Sequence, residues 1–397
     1  MEQKRETWGS RIGFLLAAAG SAIGLGNIWR FPYMAGANGG SAFILIYIIM
    51  AFSIGLSVMI AEFAVGRRTG RAAVGAFKSI SSRWTFAGVL GVLSGFLIMG
   101  FYPVVGGWSL AYIFKSMTGL LATPETIPDS FSSFISNPWE PLLWMLFYMI
   151  LNISIVIQGI TGGIEKASKI LMPALLVMLL VLAGRSLTLP NAEQGLLYLF
   201  KPDFSKVTGA TVLAALGQAF FSLSLGMGCM ITYGSYLTKD QKLLNNAVFV
   251  TAMDTGIAIL AGIAIFPALF SFGMEPAAGP GLVFIVVPSV FAKMGVLGIL
   301  LSAIFFGALM VAALTSSVSL LEVVTAYLID EKNIPRTKAV IGSSMIMVIM
   351  CVLSSLSLGI MSNIPIPLLN VGFFRRASSR RAHTVHLPMN CSVCARR

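Results

Sequence analysis

The feature that most constrains this chain is a series of long apolar runs that recur along its whole length. Each run is close to the ~20 residues that an α-helix needs to cross the hydrocarbon core of a bilayer. Only 11% of the residues are charged, whereas soluble proteins carry about 25%. The sequence therefore predicts one all-α, polytopic membrane domain and argues against several soluble domains.

We predict nine spans, at roughly residues 11–36, 41–66, 84–117, 142–160, 165–184, 208–237, 244–273, 288–328 and 338–360. The eighth is too long for one upright crossing, so it is either tilted or preceded by a separate helix. If the N-terminus is cytoplasmic, inside segments hold about three times as many Lys and Arg as outside segments through span 8, as expected for membrane proteins. This bias predicts a multi-pass protein of the inner (plasma) membrane, and it explains the net charge of +12 without nucleic-acid binding.

The spans divide the chain into four predicted parts. Residues 1–10 form a cytoplasmic N-terminal segment, 11–184 hold spans 1–5, 208–360 hold spans 6–9, and 373–397 form an atypical basic tail. The tail would lie outside, against the charge bias, so we expect it to be disordered and to result from a truncation or frame change. Its His and Cys pairs resemble metal ligands, but they lie closer together than in finger modules.

The first span contains the sequence Gly20-Ser-Ala-Ile-Gly-Leu-Gly-Asn27. Glycine weakens a helix, and backbone groups freed at membrane depth must find partners other than bulk water. Freed carbonyls suit a hard cation such as sodium, whereas N–H groups at the start of a half-helix suit a carboxylate. Close helix packing through small residues is the alternative explanation.

Span 6 repeats this apolar-Gly-apolar-Gly pattern at Leu225-Gly226-Met227-Gly228. The two segments lie five spans apart, so they cross the membrane in opposite directions. Paired, Gly-interrupted spans indicate the midplane binding site of a transporter with inverted repeats. Span 8 adds the hydroxyls of Thr315 and Ser316; such hydroxyls usually bond to their own helix, but beside two broken spans we expect them to bind an ion.

Among the few charged side chains inside the predicted spans, four are candidates for a role at membrane depth: Glu62, Asp254, Glu322 and Arg30. Such groups are costly in a membrane and indicate function, although each could instead reach an interface or form a structural pair. We expect a functional role for Asp254 and leave both interpretations open for Glu322.

These motifs resemble the neurotransmitter:sodium symporter family, especially bacterial amino-acid transporters similar to the bacterial leucine transporter. The resemblance covers roughly residues 1–360, and its strongest pieces are Lys4-Arg5-Glu6 with Trp8, Gly24 to Pro32, Asn38-Gly39-Gly40, Phe101-Tyr102 with Trp108, Phe221 to Gly228, and Leu314 to Ser317. It implies an inverted-repeat fold of five plus five spans with broken helices 1 and 6. Residues 11–184 would be the first repeat and 208–360 an incomplete second repeat.

The resemblance implies two sodium sites and no organic cofactor. The first site would use the Ala22 carbonyl, the substrate carboxylate and the side chains of Asn27, Ser222 and Asp254. The second would use the carbonyls of Gly20, Ile23 and Ala312 and the hydroxyls of Thr315 and Ser316.

It also implies an amino-acid site between the two broken spans. The substrate carboxylate should meet the N–H groups near Leu25 and Gly26 and the Tyr102 hydroxyl. The amine should meet carbonyls around Ala22, Phe221, Ser222 and Ser224. The side-chain pocket should be lined by Ile98, Phe221, Ser224, Met227, Ser316 and Leu320. Glu62 would brace the unwound part of span 6.

Gates are implied on both sides of this site. Arg5 and Asp330 would pair at the cytoplasmic mouth, with Trp8 packed nearby. Arg30 would lie above the substrate with Gln218 close to it. The usual acidic partner of this arginine comes from a tenth span, which we do not find in this chain.

Two departures from the family pattern refine the prediction. Asp254 stands where the family often has Asn, and its carboxylate supplies negative charge beside the first sodium site, so we predict chloride-independent transport. Met227 stands where the leucine transporter has Phe. Since Met is unbranched and adaptable, we predict that large apolar and aromatic amino acids are accepted.

The main prediction is therefore a sodium-coupled symporter of hydrophobic or aromatic amino acids that works by alternating access. The alternative is a non-transporting, truncated membrane protein, a pseudogene or frameshift product that retains the binding-site residues. A channel is less favoured, because two ion sites beside an occluded cavity suit alternating access. We do not predict an enzyme, because no His lies within the spans and no nucleophile–base pair is visible.

Overall fold

The computed structural model describes residues 6–121, 123–274 and 281–358, and all regular elements in these ranges are helical. In chain order the α-helices are α1 (Arg11–Ala22), α2 (Phe31–Ala37), α3 (Ser41–Met50), α4 (Leu56–Thr69), α5 (Ala73–Ile80), α6 (Thr85–Met99), α7 (Tyr102–Met117), α8 (Ile127–Ser136), α9 (Glu140–Val156), α10 (Lys166–Leu187), α11 (Ala192–Phe200), α12 (Gly209–Ser222), α13 (Cys229–Gly234), α14 (Leu243–Ser271), α15 (Val287–Ala292), α16 (Val296–Lys332) and α17 (Arg336–Leu358). The all-α prediction is confirmed.

Short helical turns of other pitch connect several of these helices. The π-helical turns are Gly26–Arg30, Ala51–Gly55, Ile160–Glu165 and Leu282–Val286, and the 3₁₀ turns are Ser82–Trp84, Pro124–Thr126 and Phe204–Lys206. The turn at Ile160–Glu165 leads directly into α10, so the two form one continuous segment.

Six helical segments of the described ranges are long and apolar enough to cross a membrane: Ser41–Thr69, Ser82–Met117, Ile160–Leu187, Leu243–Ser271, Val296–Lys332 and Arg336–Leu358. Two bent pairs also qualify: Arg11–Ala22 with Gly26–Ala37, bent by 45°, and Pro124–Ser136 with Glu140–Val156, bent by 75°. The remaining predicted span, the sixth, corresponds to α12 and α13, which are separated by six non-helical residues. The chain therefore has helices at every predicted span position, and the count of nine crossings stays a prediction.

The predicted start of span 8 needs correction. Residues 287–292 form the separate helix α15, and α16 begins only at Val296. Gly295 turns the chain between them with a φ of 66°, a conformation that glycine adopts at little cost. The length of this apolar run therefore comes from a preceding helix followed by the span itself.

The centre of the bundle is formed by α1 and the middle of α16. Phe14 and Ala17–Ala22 are buried in α1, and every residue of α16 from 311 to 326 is buried. These two helices pack on each other, and α1 also packs on α10 and α14. The hydroxyls in the middle of α16 consequently face protein and not lipid.

The short helix α13 is held by a close approach of backbones. A Cβ atom at Gly66 of α4 would overlap the Ile231 carbonyl oxygen of α13. From the other side, a Cβ atom at Gly234 would lie 2.9 Å from the Phe63 Cα atom. Only glycine permits this distance, so α4 positions the second half of span 6.

We predict that Gly66→Ala lowers the thermal stability of the detergent-solubilised protein. The added methyl group must push α4 and α13 apart, and such overpacking costs about 1–3 kcal/mol. The matched control is Gly342→Ala in α17, where nothing lies within 4 Å of the added Cβ atom. Melting followed by size-exclusion chromatography checks the result, and equal melting temperatures for the two variants would contradict it.

Candidate functional site

The break in span 1 lies between α1 and the turn that begins at Gly26. Ile23 leaves the helix with φ −77° and ψ 101°. Backbone groups in and beside the break have side-chain partners. The Leu25 N–H donates to Tyr102 Oη at 3.0 Å, the Gly24 N–H donates to Asn27 Oδ1 at 3.0 Å, and Gln218 Nε2 donates to the Gly26 carbonyl at 2.9 Å. The break is thus a defined structure stabilised by side chains of three spans.

The break in span 6 occupies residues 223–228. Ser224, Gly226 and Gly228 have positive φ values of 53°, 75° and 77°. The Gly226 N–H donates to Glu62 Oε1 at 2.7 Å, which is the contact that a brace by Glu62 requires. Ser224 Oγ donates to the Ser21 carbonyl at 2.8 Å, so the two breaks contact each other directly.

The glycines of the two breaks have different physical roles despite their similar sequences. Gly226 and Gly228 supply positive φ values, which most side chains disfavour. Gly24 does not have a positive φ; instead a Cβ atom there would overlap Ser316 Oγ and lie 2.6 Å from Tyr102 Oη. In span 6 glycine therefore permits unwinding, and in span 1 it permits close approach.

A cavity lies between the two breaks. Its lining residues are Ser21, Ala22, Gly24, Gly26, Ile98, Tyr102, Phe221, Ser224, Met227, Ser316 and Leu320. Its volume is about 20 Å³, which is room for roughly one or two water molecules. The surrounding side chains must therefore move apart before a larger molecule can fit.

Most residues predicted to bind a substrate line this cavity, and two do not. The Leu25 side chain is buried and its N–H already donates to Tyr102, while the Ser222 hydroxyl turns away to Asp254. Ser21 and Gly24 line the cavity but were not predicted to do so. Their position inside the Gly-rich break of span 1 is the sequence signal that could have identified them.

Asn27 and Ser222, predicted for the first sodium site, both contact the carboxylate of Asp254, which is fully buried in α14. Asn27 Nδ2 donates to Asp254 Oδ1 at 2.7 Å, and Ser222 Oγ lies 2.9 Å from both carboxylate oxygens. Ala22 lines the adjacent cavity. Tyr47 Oη also donates to Asp254 Oδ2 at 3.0 Å. Tyr47 was missed, although a tyrosine within an apolar span usually needs a partner for its hydroxyl.

No Lys or Arg of the described residues forms a salt bridge with Asp254. Its partners among these residues, Asn27, Ser222 and Tyr47, are all neutral donors. A buried charge without a counter-charge is costly. The arrangement therefore favours a bound cation at this position.

The residues predicted for the second sodium site meet where α1 ends against α16. Ser316 Oγ lies 3.3 Å from the Gly20 carbonyl oxygen, 3.0 Å from that of Ser21 and 3.3 Å from that of Ile23. Thr315 Oγ1 lies 3.1 Å from the Ala312 carbonyl oxygen. Ser316 thus contacts the end of α1 directly, whereas the Thr315 hydroxyl bonds back to Val311 and Ala312 of its own helix and its Cβ atom lies 3.1 Å from a Cβ atom built at Gly20. Neutral oxygens of this kind coordinate sodium in broken-helix transporters.

Of the side chains predicted as gates, Arg30 and Gln218 lie beside Phe221, which lines the cavity, whereas Trp8 packs against α13. Arg30 Nη1 donates to Gln218 Oε1 at 2.6 Å, and the guanidinium lies 5.1 Å from the centre of the Phe221 ring. Before the start of α1, Trp8 is buried, and its Nε1 donates to the Tyr233 carbonyl at 3.1 Å. The predicted pair of Arg5 and Asp330 cannot be followed, because Arg5 lies outside the described residues; Asp330 Oδ2 accepts the Ala72 N–H at 2.7 Å.

The sequence profile of the Sodium:neurotransmitter symporter family matches residues 5–128 and 125–371. This chain belongs to that family. An uncharacterized sodium-dependent transporter of Bacillus subtilis is 41% identical over 367 residues, which cover 91% of this chain and 81% of that protein. An uncharacterized sodium-dependent transporter of Haemophilus influenzae is 41% identical over 353 residues, which cover 85% and 77% of the two chains.

Among solved structures, the symporter is similar to MhsT in complex with L-phenylalanine. The TM-score is 0.87 at 48% identity, and the match covers 95% of this chain and 87% of that chain. This similarity confirms the predicted inverted-repeat transporter fold. The family and the fold are those of integral membrane transporters that use sodium, and not those of enzymes.

The structure decides between the two interpretations of Glu322 in this symporter. Arg336 donates to Glu322 through Nη1 at 2.8 Å and Nη2 at 3.0 Å, and Tyr236 Oη donates at 2.6 Å. Arg336 Nε also donates to Glu6 Oε1 at 3.0 Å. Glu322 therefore forms a buried structural pair that connects α16 and α17 to the N-terminal segment. The sequence assigned Arg336 to a loop, and nothing in its surroundings identified this partner.

We predict that Gly24→Ala weakens sodium binding by roughly tenfold to a hundredfold, because its methyl group must displace Ser316 or Tyr102. The control is Gly217→Ala in α12, where an added Cβ atom meets nothing within 4 Å. Sodium that binds the folded protein raises its melting temperature, so a sodium titration of melting gives the half-maximal concentration. An unchanged titration midpoint for Gly24→Ala would argue against close approach at Ser316.

Proposed function

We propose that this chain is a sodium-coupled symporter of hydrophobic or aromatic amino acids that works by alternating access and does not need chloride. The observation that carries this proposal is the buried carboxylate of Asp254, which has only neutral donors around it in the described structure. It lies beside the opened backbone of span 1, so a cation bound there can contact the protein and the carboxylate of a substrate together.

The first sodium ion would be bound by Asp254, Asn27, Ser222 and the Ala22 carbonyl. The Asn27 amide and the Ser222 hydroxyl donate to Asp254 in this structure. Each group also has an oxygen that can turn toward a cation. The second ion would be bound by Ser316 and Thr315 with the carbonyls of Gly20, Ile23 and Ala312. Both sites share the C-terminal end of α1 with the cavity.

An amino acid would bind in the cavity between the breaks. Its carboxylate would meet the N–H groups near Leu25 and Gly26 and the hydroxyl of Tyr102, which is already within 3.0 Å of the Leu25 nitrogen. Its amine would meet carbonyl oxygens around Ala22, Phe221, Ser222 and Ser224. The similarity to MhsT, which was crystallised with L-phenylalanine, supports a large apolar substrate.

The apolar wall supports the same substrate class. Ile98, Phe221, Met227 and Leu320 line the cavity and would surround the side chain of the amino acid. Met227 lies in the non-helical residues of span 6, and its unbranched side chain adapts easily to different shapes. Movement of this segment would enlarge the small cavity to fit an aromatic ring.

Alternating access would use the two covers of the cavity in turn. Arg30, Gln218 and Phe221 would cover the outer side, and Trp8 with the N-terminal segment would cover the cytoplasmic side, as the distribution of basic residues predicts. Binding of the ions and the substrate would draw the broken spans together, and release would follow the opening of the cytoplasmic cover.

We expect proteoliposomes that contain this protein to take up labelled Leu, Trp and Tyr only with an inward sodium gradient. In competition, large apolar amino acids should displace the label, and Met227→Phe should weaken aromatic competitors selectively because a rigid ring fills the pocket. Empty liposomes and protein without a sodium gradient are the controls. A panel in which only Ala and Gly compete would contradict the proposed substrate class, and uptake without sodium would contradict symport.

We expect uptake to be unchanged when gluconate replaces chloride at saturating sodium, because Asp254 supplies the negative charge. Asp254→Asn should raise the sodium concentration for half-maximal uptake by roughly a hundredfold, since one partner of a buried charge interaction is lost. The control is Asp240→Asn, which neutralises a fully exposed carboxylate in the loop before α14. Loss of wild-type uptake in gluconate would refute chloride independence.

A further inference from the structure

The N-terminal strap, which we define as residues 6–10, runs in a non-helical conformation along the turn at Ile160–Glu165. Glu6 Oε2 accepts the Ile160 N–H at 2.6 Å, and Thr161 Oγ1 donates to the Thr7 carbonyl at 3.1 Å. The strap leads directly into α1. The position of α1 at this end of the bundle therefore depends on contacts with the segment that begins span 5.

The strongest of these contacts involve the carboxylate of Glu165. Oε2 accepts the Gly9 N–H at 2.7 Å, and Oε1 accepts the Ser10 hydroxyl at 2.8 Å. Ser10 is also the N-cap of α1, where its Oγ accepts the Gly13 N–H at 3.0 Å. A carboxylate at a helix N-terminus is stabilised by the unpaired N–H groups and the helix dipole. Glu165 is thus bonded to the start of α1 itself.

The close packing of the Glu165 side chain against Gly13 supports the same contact. The Glu165 side chain is only 2% exposed, and a Cβ atom at Gly13 would overlap its carboxylate. Gly13 has no positive φ, so its backbone conformation does not require glycine. The residue is small at this position because the carboxylate lies across the first turn of α1.

The third partner of Glu165 stays with it if α1 moves. Lys169 Nζ lies 2.6 Å from Glu165 Oε1, one turn later on the same helical segment, and its side chain is 44% exposed. A buried carboxylate left without partners would oppose movement strongly. Because Lys169 and water remain available, separation of the strap from Glu165 leaves no unpaired buried charge. The contact can therefore open and close.

We propose that Glu165 acts as a latch. Its hydrogen bonds to the strap would hold the start of α1 against the segment Ile160–Leu187 while the cavity is closed on the side of the strap. It is a positioning residue for transport and touches neither ion nor substrate. Its effect would reach the ions through α1, whose C-terminal end carries the Gly20 and Ile23 carbonyls of the proposed second sodium site. This inference rests on the proposed function for its link to sodium, whereas the mechanical contact itself can be tested separately.

Hydrogen–deuterium exchange of the full chain in lipid nanodiscs tests the latch. In sodium-free buffer Glu165→Ala should speed exchange of peptides within residues 9–22 by roughly tenfold, since two charge-assisted hydrogen bonds are lost. Saturating sodium should restore slow exchange, because it binds α1 to α16. Half-maximal uptake should then need about tenfold more sodium, with the maximal rate maintained. Lys166→Gln, which removes an exposed charge from the same turn, should match the wild type.

Two further variants keep the test informative if Glu165→Ala folds poorly. Ser10→Ala removes a single donor and should change exchange in the same direction by a smaller factor. Gly13→Ala should behave like Glu165→Ala, because its methyl group displaces the carboxylate. In the Glu165→Ala background, Gly13→Ala should add nothing further, since the group it displaces is absent.

The proposal is overturned if Glu165→Ala leaves exchange in residues 9–22 unchanged, or if exchange rises equally in all helices, which would show general loosening. It is also overturned if Gly13→Ala and Glu165→Ala act additively. The two proposals can fail separately. If Glu165→Ala speeds exchange locally but the wild-type protein shows no sodium-driven uptake, the latch is supported and the proposed function is refuted.

Discussion

The structure depends on how the polar backbone groups released in the middle of spans 1 and 6 are satisfied. Inside a membrane such groups cannot turn to bulk water, so protein or ligand must supply every partner. Side chains from other spans do so here: Tyr102 and Gln218 contact the break in span 1, and Glu62 contacts the break in span 6. Ser224 joins the two breaks. The surrounding spans therefore act as a frame, in the sense that their side chains hold the two broken helices at fixed positions relative to each other.

This frame places both candidate ion sites on one short piece of chain. The carbonyls of Gly20 and Ile23 face Ser316 of α16, and Asn27 contacts Asp254 of α14. An ion at either position would order the same residues that we propose for the other ion and the substrate. Coupling between ligands requires such a shared element, whose conformation each of them biases. In the proposed symporter, the break in span 1 is that element.

The strap region and the Arg30 region are held by different interactions in the described structure. In the strap region, Glu165 bonds to the strap, and Arg336 joins Glu322 to Glu6. In the Arg30 region, the guanidinium bonds to the neutral Gln218 and lies over an aromatic ring. Hydrogen bonds with one ionised partner are stronger than neutral ones, and both regions have such bonds, but only the Arg336 contacts also join opposite charges. The region that carries the strap therefore has opposite-charge pairs, whereas the Arg30 region has a charged–neutral hydrogen bond and a cation–π contact.

The sequence by itself determined the helical spans, the two breaks and most of the cavity lining. In a membrane protein, the length of each apolar run and the polar residues within it can be recognised from the local sequence. The sequence also predicts Asp254 and the hydroxyls of α16 as candidate ion ligands. The tertiary structure alone decided that Gly24 serves close approach while Gly226 serves unwinding, and that Tyr47, Arg336 and Glu165 are partners of distant groups. The role of Gly226 depends on its backbone conformation in the folded chain, and the other roles depend on distances between separate segments, which no local pattern in the sequence encodes.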